Sequence, residues 1–218
     1  KKTSEDFPCP HCRVTLTKDN LQRNFETLRD LATGQSWKRI RLRPVLINYS
    51  VGKRTFEKRP DAKDLAILDR IAKLPLPPEV PTDRFPIESM YHGSRLAPKG
   101  LTCVHHLFLP RAAQSLSALW RRSLDAGDVR TRNILLFTVE QAIWTASLLN
   151  RYRPTGYSQV NQCLTGVYYV PSQHSECSPW YILGGKLTRL SKVFADCRAC
   201  SQLGCTATTS STVSLGLP

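Results

Sequence analysis

The stretch from residue 100 to residue 122 constrains the fold most, because its secondary-structure signal changes at a proline. Residues 104–109 are apolar around a pair of histidines and predict a β-strand. Pro110 stands where a helix is expected to begin, since the first helical turn does not use the N–H that proline lacks. We therefore expect a strand followed by a helix over residues 111–124, with the rest of the chain packed around this unit.

Three further segments carry helical signals. Residues 61–74 begin at Asp61, a favourable N-cap, and space their apolar side chains on one face. Residues 129–150 are apolar on nearly every side, which predicts a largely buried helix. Residues 179–195 begin at Pro179 and predict a fourth helix, whereas residues 15–33 indicate a short helix at most.

The strand signals are short. Arg39, Arg41 and Arg43 alternate with apolar residues, which is the period of a strand with one basic face. Residues 41–56 predict a hairpin that turns near Gly52. With residues 104–109 and 164–170, these segments predict an α+β fold: a small mixed or antiparallel sheet covered by about four helices, with an N-terminal zinc-ribbon-like knuckle.

The charge of the chain indicates a polyanionic partner. Lys and Arg number 31 against 17 Asp and Glu, a formal net charge of +14. Nucleic acid is the partner this balance favours first, and an anionic membrane surface second; the alternative is a basic surface that is merely solvated. No apolar run approaches the roughly 20 residues needed to span a bilayer, and no signal peptide is evident. We expect a cytoplasmic protein without a membrane partner, whose cysteines are thiols or metal ligands.

Two Cys-x-x-Cys motifs are candidate zinc ligands. Cys9 and Cys12 enclose Pro10 and His11, a spacing typical of a knuckle that supplies two of four thiolates. Cys197 and Cys200 form the second motif and would complete the site if the chain ends meet. Alternatively, the missing ligands precede Lys1, since a chain without an initial Met is expected to be part of a longer protein. Ordinary thiols are the third interpretation.

Basic and amide side chains supply the candidate DNA contacts. Those in the basic strands and around the central helix would hold phosphates, and those near residues 151–162 would contact bases, as arginine does with guanine and Asn or Gln with adenine. The same composition would suit an ordinary polar loop. The phosphate candidates are Arg39, Arg41, Arg43, Lys53, Arg54, Arg111, Arg121 and Arg122, and the base candidates are Arg151, Tyr152, Arg153, Gln159 and Asn161.

The histidine pair is the basis for an alternative function. Adjacent residues on a strand face opposite ways, so we expect one of His105 and His106 to be structural and the other exposed. A metal-dependent nuclease that uses these two, His92 and Asp83 is the alternative. The scarcity of carboxylates beside the histidines weighs against that nuclease.

The chain resembles the large bacterial DNA methyltransferases of the N4/N6 amino-methylating type. The resemblance is carried by VLINYSVGKRTFEKRPDAKD (residues 45–64), TCVHHLFLPRAAQSLSALW (residues 102–120) and LTGVYYVPS with the helix after it (residues 164–194). In that family a segment like TTSSTVSLGLP leads to the catalytic Asp-Pro-Pro-Phe motif, which grips the amine of a flipped base. Neither that motif nor the glycine-rich motif for S-adenosylmethionine occurs here.

The resemblance implies a target-recognition insertion of a DNA (adenine-N6 or cytosine-N4) methyltransferase, of the kind found in bacterial restriction–modification. Its partners would be duplex DNA and the catalytic domain of the same parent protein, with S-adenosylmethionine bound in the intact protein only and structural zinc here. The expected division is a knuckle segment over residues 1–36, a recognition domain over 37–195 and a cysteine-containing tail over 196–218. The alternative is a stand-alone zinc-containing nucleic-acid-binding domain or a metal-dependent nuclease.

Overall fold

Short hairpins come first in the chain and helices follow. The computed structural model describes residues 6–9, 11–17, 22–89, 96–155 and 170–202. Three antiparallel hairpins are formed by β1 (Asp6–Pro8) with β2 (Thr15–Thr17), β3 (Phe25–Arg29) with β4 (Ser36–Ile40), and β5 (Ile47–Val51) with β6 (Arg54–Lys58). The helices are α1 (Ala62–Ala72), two 3-10 helices (Ala97–Lys99 and Val104–Leu107), α2 (Pro110–Leu124), α3 (Val129–Ala146) and α4 (Pro179–Gln202).

The α+β class is confirmed, but the described strands form three separate two-stranded sheets rather than one central sheet. The predicted strand over residues 104–109 is wrong, because Val104–Leu107 is a 3-10 helix. Its amides turn back within the chain: His106 N–H donates to the carbonyl of Cys103 at 3.1 Å, and Phe108 N–H to that of His105 at 3.1 Å. The other predicted strand, residues 164–170, lies almost wholly outside the described residues.

The predicted hairpin near Gly52 is confirmed, with strands that begin and end later than expected. Val51 pairs with Arg54 across a two-residue turn. Gly52 in this turn has φ +60°, which glycine adopts without steric cost. Residues 25–29 form strand β3, which corrects the short helix expected there. The register pairs Leu28 with Trp37, and the local alternation of half-buried and exposed side chains follows from this pairing.

The helix starts follow the sequence signals, because caps act locally. Asp61 accepts hydrogen bonds from the amides of Lys63 and Asp64, and Pro110 occupies the first turn of α2. Helix α3 ends at Ala146 rather than at residue 150, and it is not buried throughout: Phe137 is 61% exposed. Within the described part of the chain, no helix has the length and apolar character to cross a membrane.

Two of the expected domain limits fall inside elements of the structure. The limit after residue 36 lies within strand β4, which pairs with β3 of the preceding segment. The limit after residue 195 lies within α4, which continues to Gln202. The division into domains, with its limits, stays a prediction.

The core lies where the chain around the second 3-10 helix crosses the segment after α3. Leu96, Leu101, Leu107, Leu148 and Leu149 form a buried cluster. Leu148 N–H donates to the carbonyl of Leu107 at 2.8 Å, which ties the two segments together. Hairpin β3–β4 lies against the same region.

Gly100 allows β4 to approach this core closely. Its φ is +79°, and a Cβ atom there would lie 2.2 Å from the carbonyl oxygen of Lys38. Only glycine therefore fits between the core loop and β4. This contact brings the turn of hairpin β3–β4 to the histidine pair.

Candidate functional site

Asp30 occupies the turn of hairpin β3–β4 and turns its carboxylate inward. Its Oδ1 accepts hydrogen bonds from the amides of Ala32 at 2.8 Å and Thr33 at 3.3 Å, which is the pattern of an Asx turn. The carbonyl of Asp30 accepts from Gly34 N–H at 2.8 Å. Asp30 is only 6% exposed, so its charge depends on partners from elsewhere in the fold.

Those partners are the two histidines. His105 Nε2 lies 3.1 Å from Asp30 Oδ1, and His106 Nε2 lies 3.2 Å from Asp30 Oδ2. His105 and His106 are 8% and 3% exposed. The expectation that one of them faces solvent is therefore wrong, because a 3-10 turn, unlike a strand, directs both rings to the same carboxylate.

His106 is held on its other sides as well. Its Nδ1 accepts from the amides of Thr102 and Cys103, both at 3.2 Å. Its ring stacks on Trp37, with centroids 3.9 Å apart and planes 10° from parallel. Trp37 Nε1–H donates to the carbonyl of Gly100 at 2.6 Å, which fixes the indole in place.

Burial and hydrogen bonding set the charges in this group. Burial raises the pKa of the Asp30 carboxyl, but the amide of Ala32, the His106 hydrogen bond and the field of His105 together lower it to about 2. Burial lowers the pKa of His106 to about 4, although its hydrogen bond to Asp30 acts in the opposite direction. At neutral pH, Asp30 is therefore ionised and His106 is neutral.

Cys103 adds a thiol to the same place. One ligand atom from each of Cys103, His105 and His106 lies within 4.8 Å of the other two, and all three residues are buried. We call these three residues and Asp30 the Asp30 cluster. The thiol and two imidazoles are ligands that transition metals accept, so the cluster could hold a metal ion.

The predicted nuclease set is not assembled around these histidines. Asp83 is exposed and is not part of the close group, although its carbonyl accepts from Val104 N–H at 2.9 Å. His92 lies outside the described residues. The burial of His105 and His106 also leaves a phosphodiester no contact with either ring in this conformation.

The first Cys-x-x-Cys motif lies at the end of hairpin β1–β2. Cys9 N–H donates to the carbonyl of Val14 at 2.8 Å, and Arg13, with φ +62°, donates to the carbonyl of Cys9 at 2.9 Å. Hydrogen bonds from the amides of Cys12 and His11 lower the pKa of the Cys9 thiol. This turn directs amides at a sulfur, as the sequence predicts for a knuckle; a zinc ribbon stays a prediction.

The second Cys-x-x-Cys motif has a different backbone. Cys197 and Cys200 belong to the continuous helix α4, not to a turn. Cys197 is exposed, and the side chain of Cys200 lies outside what the structure describes. Among the described side chains, the Asp30 cluster contains the only close group of three metal-ligand residues, so Cys197 is not brought to Cys9 and Cys12.

Four of the predicted phosphate contacts are engaged within the protein. Each of these arginines has a carboxylate partner, which reduces its availability to DNA. The pairs are Arg39 with Glu26 at 2.9 Å, Arg111 with Glu176 at 2.6 Å, Arg121 with Glu79 at 3.0 Å and Arg122 with Asp125 at 3.8 Å.

Exposure does not separate these four arginines from the other described candidates, because Arg111, Arg121 and Arg122 are exposed as well. Arg41 and Arg43 are exposed while Leu42 between them packs against the core, so the expected alternation holds beyond the end of β4. Lys53 and Arg54 are exposed at the turn of hairpin β5–β6. Arg151 and Arg153 are exposed, Tyr152 is half-buried, and Gln159 and Asn161 lie outside the described residues.

Sequence reasoning did not identify Asp30, Trp37 or Asn150 as organising residues. Asp30 precedes a short turn ending in Gly34, which is a signal for local capping only. Asn150 is completely buried and donates through Nδ2 to the carbonyls of Thr145 at 3.0 Å and Ser175 at 2.7 Å. Its partners lie on both sides of it in the chain, and no spacing rule indicates such a contact.

Comparisons of the chain with protein-family models, with curated protein sequences and with solved structures found no match.

Proposed function

We propose that this chain is the DNA-binding, target-recognition module of a DNA methyltransferase that modifies adenine N6 or cytosine N4. The observation that carries the proposal is a concentration of cations in one segment, most of them exposed. Residues 37–59 contain eight Lys and Arg and one acidic residue, Glu57. Such a segment attracts a polyanion, and the sequence resemblance to amino-methylating enzymes favours DNA as that polyanion.

The proposed phosphate contacts are those sequence-predicted cations that have no ion pair among the described residues. No hydrogen bond or ion pair within the described residues engages the side chains of Arg41, Arg43, Lys53 and Arg54. Free cations release condensed counterions from DNA when they bind, whereas an arginine held by a carboxylate must first break its own ion pair. This distinction reduces the sequence-based set of phosphate contacts to four principal residues.

The proposed base contacts lie after α3. Arg151 and Arg153 are exposed and can present their guanidinium groups to the edge of guanine in the major groove. Tyr152 is half-buried between them, so it supports the segment more than it stacks on a base. Gln159 and Asn161 complete the set of base contacts predicted from the sequence.

The proposed cofactors are divided between this chain and its parent protein. Cys9 and Cys12 would hold a structural zinc ion together with two further thiolates, and the amides directed at the Cys9 sulfur favour the thiolate that zinc requires. S-adenosylmethionine and the amine-gripping residues would belong to the catalytic domain. The module would then position DNA for that domain without transferring a methyl group itself.

Salt-dependent DNA affinity tests this proposal. Fluorescence anisotropy would compare duplex DNA, single-stranded DNA and duplex RNA for the wild type and for the double variant Arg41→Gln/Arg43→Gln. We expect a preference for duplex DNA, and we expect the double variant to flatten the slope of log affinity against log salt by about 2.

The matched control is Arg121→Gln/Arg122→Gln, which removes the same charge from residues with carboxylate partners. We expect its slope to change by less than about 0.5, because these two arginines contribute few phosphate contacts. Equal effects of the two double variants would show that net charge alone governs binding. Equal affinity for all three nucleic acids would contradict target recognition, and selection from random duplexes would then show no sequence preference.

A further inference from the structure

One atom of the Asp30 cluster lacks a partner. Both histidines direct Nε2 at the Asp30 carboxylate, so the second ring nitrogen, Nδ1, has to find its partner elsewhere. The lone pair of His106 accepts the amides of Thr102 and Cys103. The Nδ1 atom of His105 is buried and has no hydrogen-bond partner in the described structure.

The Nδ1 atom of His105 needs a partner because burial has removed its water, and the neutral imidazole would offer a lone pair there to an electrophile such as a metal ion. The Cys103 sulfur is close to the pair, since one ring nitrogen from each histidine and this sulfur lie within 4.8 Å of one another. In a tetrahedral zinc site with Zn–S of about 2.3 Å and Zn–N of about 2.0 Å, the ligand atoms are about 3.5 Å apart. Side-chain shifts of about 1 Å would therefore close the group around an ion.

We propose that Cys103 Sγ, His105 Nδ1 and His106 Nδ1 bind a zinc ion, with Asp30 as the outer carboxylate that holds both imidazoles. A zinc-bound histidine commonly donates its other N–H to a carboxylate, and here one carboxylate serves two rings. His106 exchanges its two amide hydrogen bonds for the metal bond. The hydroxyl of Thr102, whose oxygen is 3.4 Å from His106 Nδ1, or a water molecule takes the fourth position.

Charge balance supports a divalent ion in this buried place. Binding releases the thiol proton of Cys103 to solvent, and the resulting thiolate and the Asp30 carboxylate together neutralise the two positive charges. Arg39, the nearest arginine on β4, is already paired with Glu26. Thiolate and imidazole together select zinc over magnesium or calcium, which prefer oxygen ligands.

The ion would connect parts of the chain that are far apart in sequence. Asp30 belongs to hairpin β3–β4, whereas the three ligands belong to the loop and 3-10 helix before α2. This zinc is distinct from the one proposed on Cys9 and Cys12, and it does not depend on DNA binding. Metal content therefore tests it separately from the proposed function.

The experiment measures zinc in the full chain after both Cys-x-x-Cys motifs are disabled. The background variant Cys9→Ser/Cys12→Ser/Cys197→Ser would be stripped with a chelator, reloaded with zinc, desalted and analysed by mass spectrometry. We expect one equivalent of zinc in this background. We expect loss of that equivalent when Cys103→Ser or His105→Gln is added, since Gln keeps a donor for Asp30 but removes the imidazole lone pair.

Cys177→Ser is the matched control, because Cys177 is a half-buried thiol outside the cluster. It should retain the full equivalent of zinc. Absence of zinc from the background variant, or its retention in both Cys103→Ser and His105→Gln, would overturn the proposal. If circular dichroism shows that those variants are unfolded, X-ray absorption of the zinc-loaded background variant is the deciding measurement. We expect one sulfur and two imidazole nitrogens around the zinc ion. A coordination shell of oxygen alone, or of several sulfurs, would contradict the proposal.

Discussion

Two buried polar centres join distant parts of this chain, and they differ in how completely their atoms are paired. Around Asn150, the amide nitrogen donates to Thr145 and Ser175, and the backbone carbonyl of Asn150 accepts from Ser175 N–H at 2.9 Å. Around Asp30, four donors reach the carboxylate, but the Nδ1 atom of His105 is left over.

This difference separates a structural centre from a candidate binding site. A fully paired polar network repays the cost of its own burial and has nothing left to offer a ligand. A network with one unpartnered lone pair beside a thiol carries a cost that a metal ion would relieve. The three predictions below test whether both centres hold the fold together and whether only one of them binds an ion.

The largest effect is expected from Asp30→Ala. The change leaves the Nε2 atoms of His105 and His106 buried without their partner and removes the acceptor of the Ala32 amide, so we expect a loss of about 4 kcal/mol in the free energy of unfolding. Urea denaturation of the zinc-free protein measures it. The control Asp69→Ala, at an exposed helical position, should change stability by less than about 0.5 kcal/mol. A loss below about 1 kcal/mol for Asp30→Ala would show that the histidines find other acceptors.

An intermediate effect is expected from Asn150→Ala. The buried carbonyl of Thr145 and the half-buried carbonyl of Ser175 lose their side-chain donor, which predicts a loss of about 2 kcal/mol. Zinc content should stay at the level of the parent protein, in contrast to His105→Gln. Asn133→Ala, on the exposed side of α3, is the control and should be neutral in the same denaturation measurement. A simultaneous loss of zinc would show that the two centres are coupled.

The smallest effect is expected from Trp37→Phe. The aromatic ring remains to stack on His106, but the hydrogen bond to the carbonyl of Gly100 is lost, which predicts about 1 kcal/mol. Thermal and urea unfolding measure the change. Trp180→Phe is the control, because Trp180 is 71% exposed and should tolerate the replacement. Equal effects at the two tryptophans would indicate that the indole N–H of Trp37 contributes nothing.

The helix starts and the hairpin turn could be predicted from sequence because each depends on a few neighbouring residues. Asp61 caps α1, Pro110 and Pro179 begin α2 and α4, and Gly52 makes a two-residue turn. The end of α3 could not be predicted in the same way. Residues 147–150 leave the helix because their backbone and side chains bond to the 3-10 helix and to residues 173–177, which are remote contacts.

Only part of the candidate site could be predicted from the sequence. The histidine pair was identified from the sequence, but a short apolar segment such as residues 104–109 does not distinguish a strand from a 3-10 turn. The carboxylate that both histidines contact belongs to Asp30, 75 residues before His105. Likewise, the alternation of arginines predicted an exposed basic face, yet only the structure separates the free Arg41 from Arg39, which pairs with Glu26.

By itself, the sequence determined the features that depend on neighbouring residues or on composition, which are the helix caps, the Gly52 turn, the α+β class and the excess of positive charge. The tertiary structure alone decided which cations stay free and which buried polar atoms are paired. The physical reason is that a hydrogen bond or ion pair acts over about 3 Å, and the partners that meet at that distance come from segments far apart in the chain. For the Asp30 cluster, those segments meet because Gly100 lets the core loop pack directly against β4.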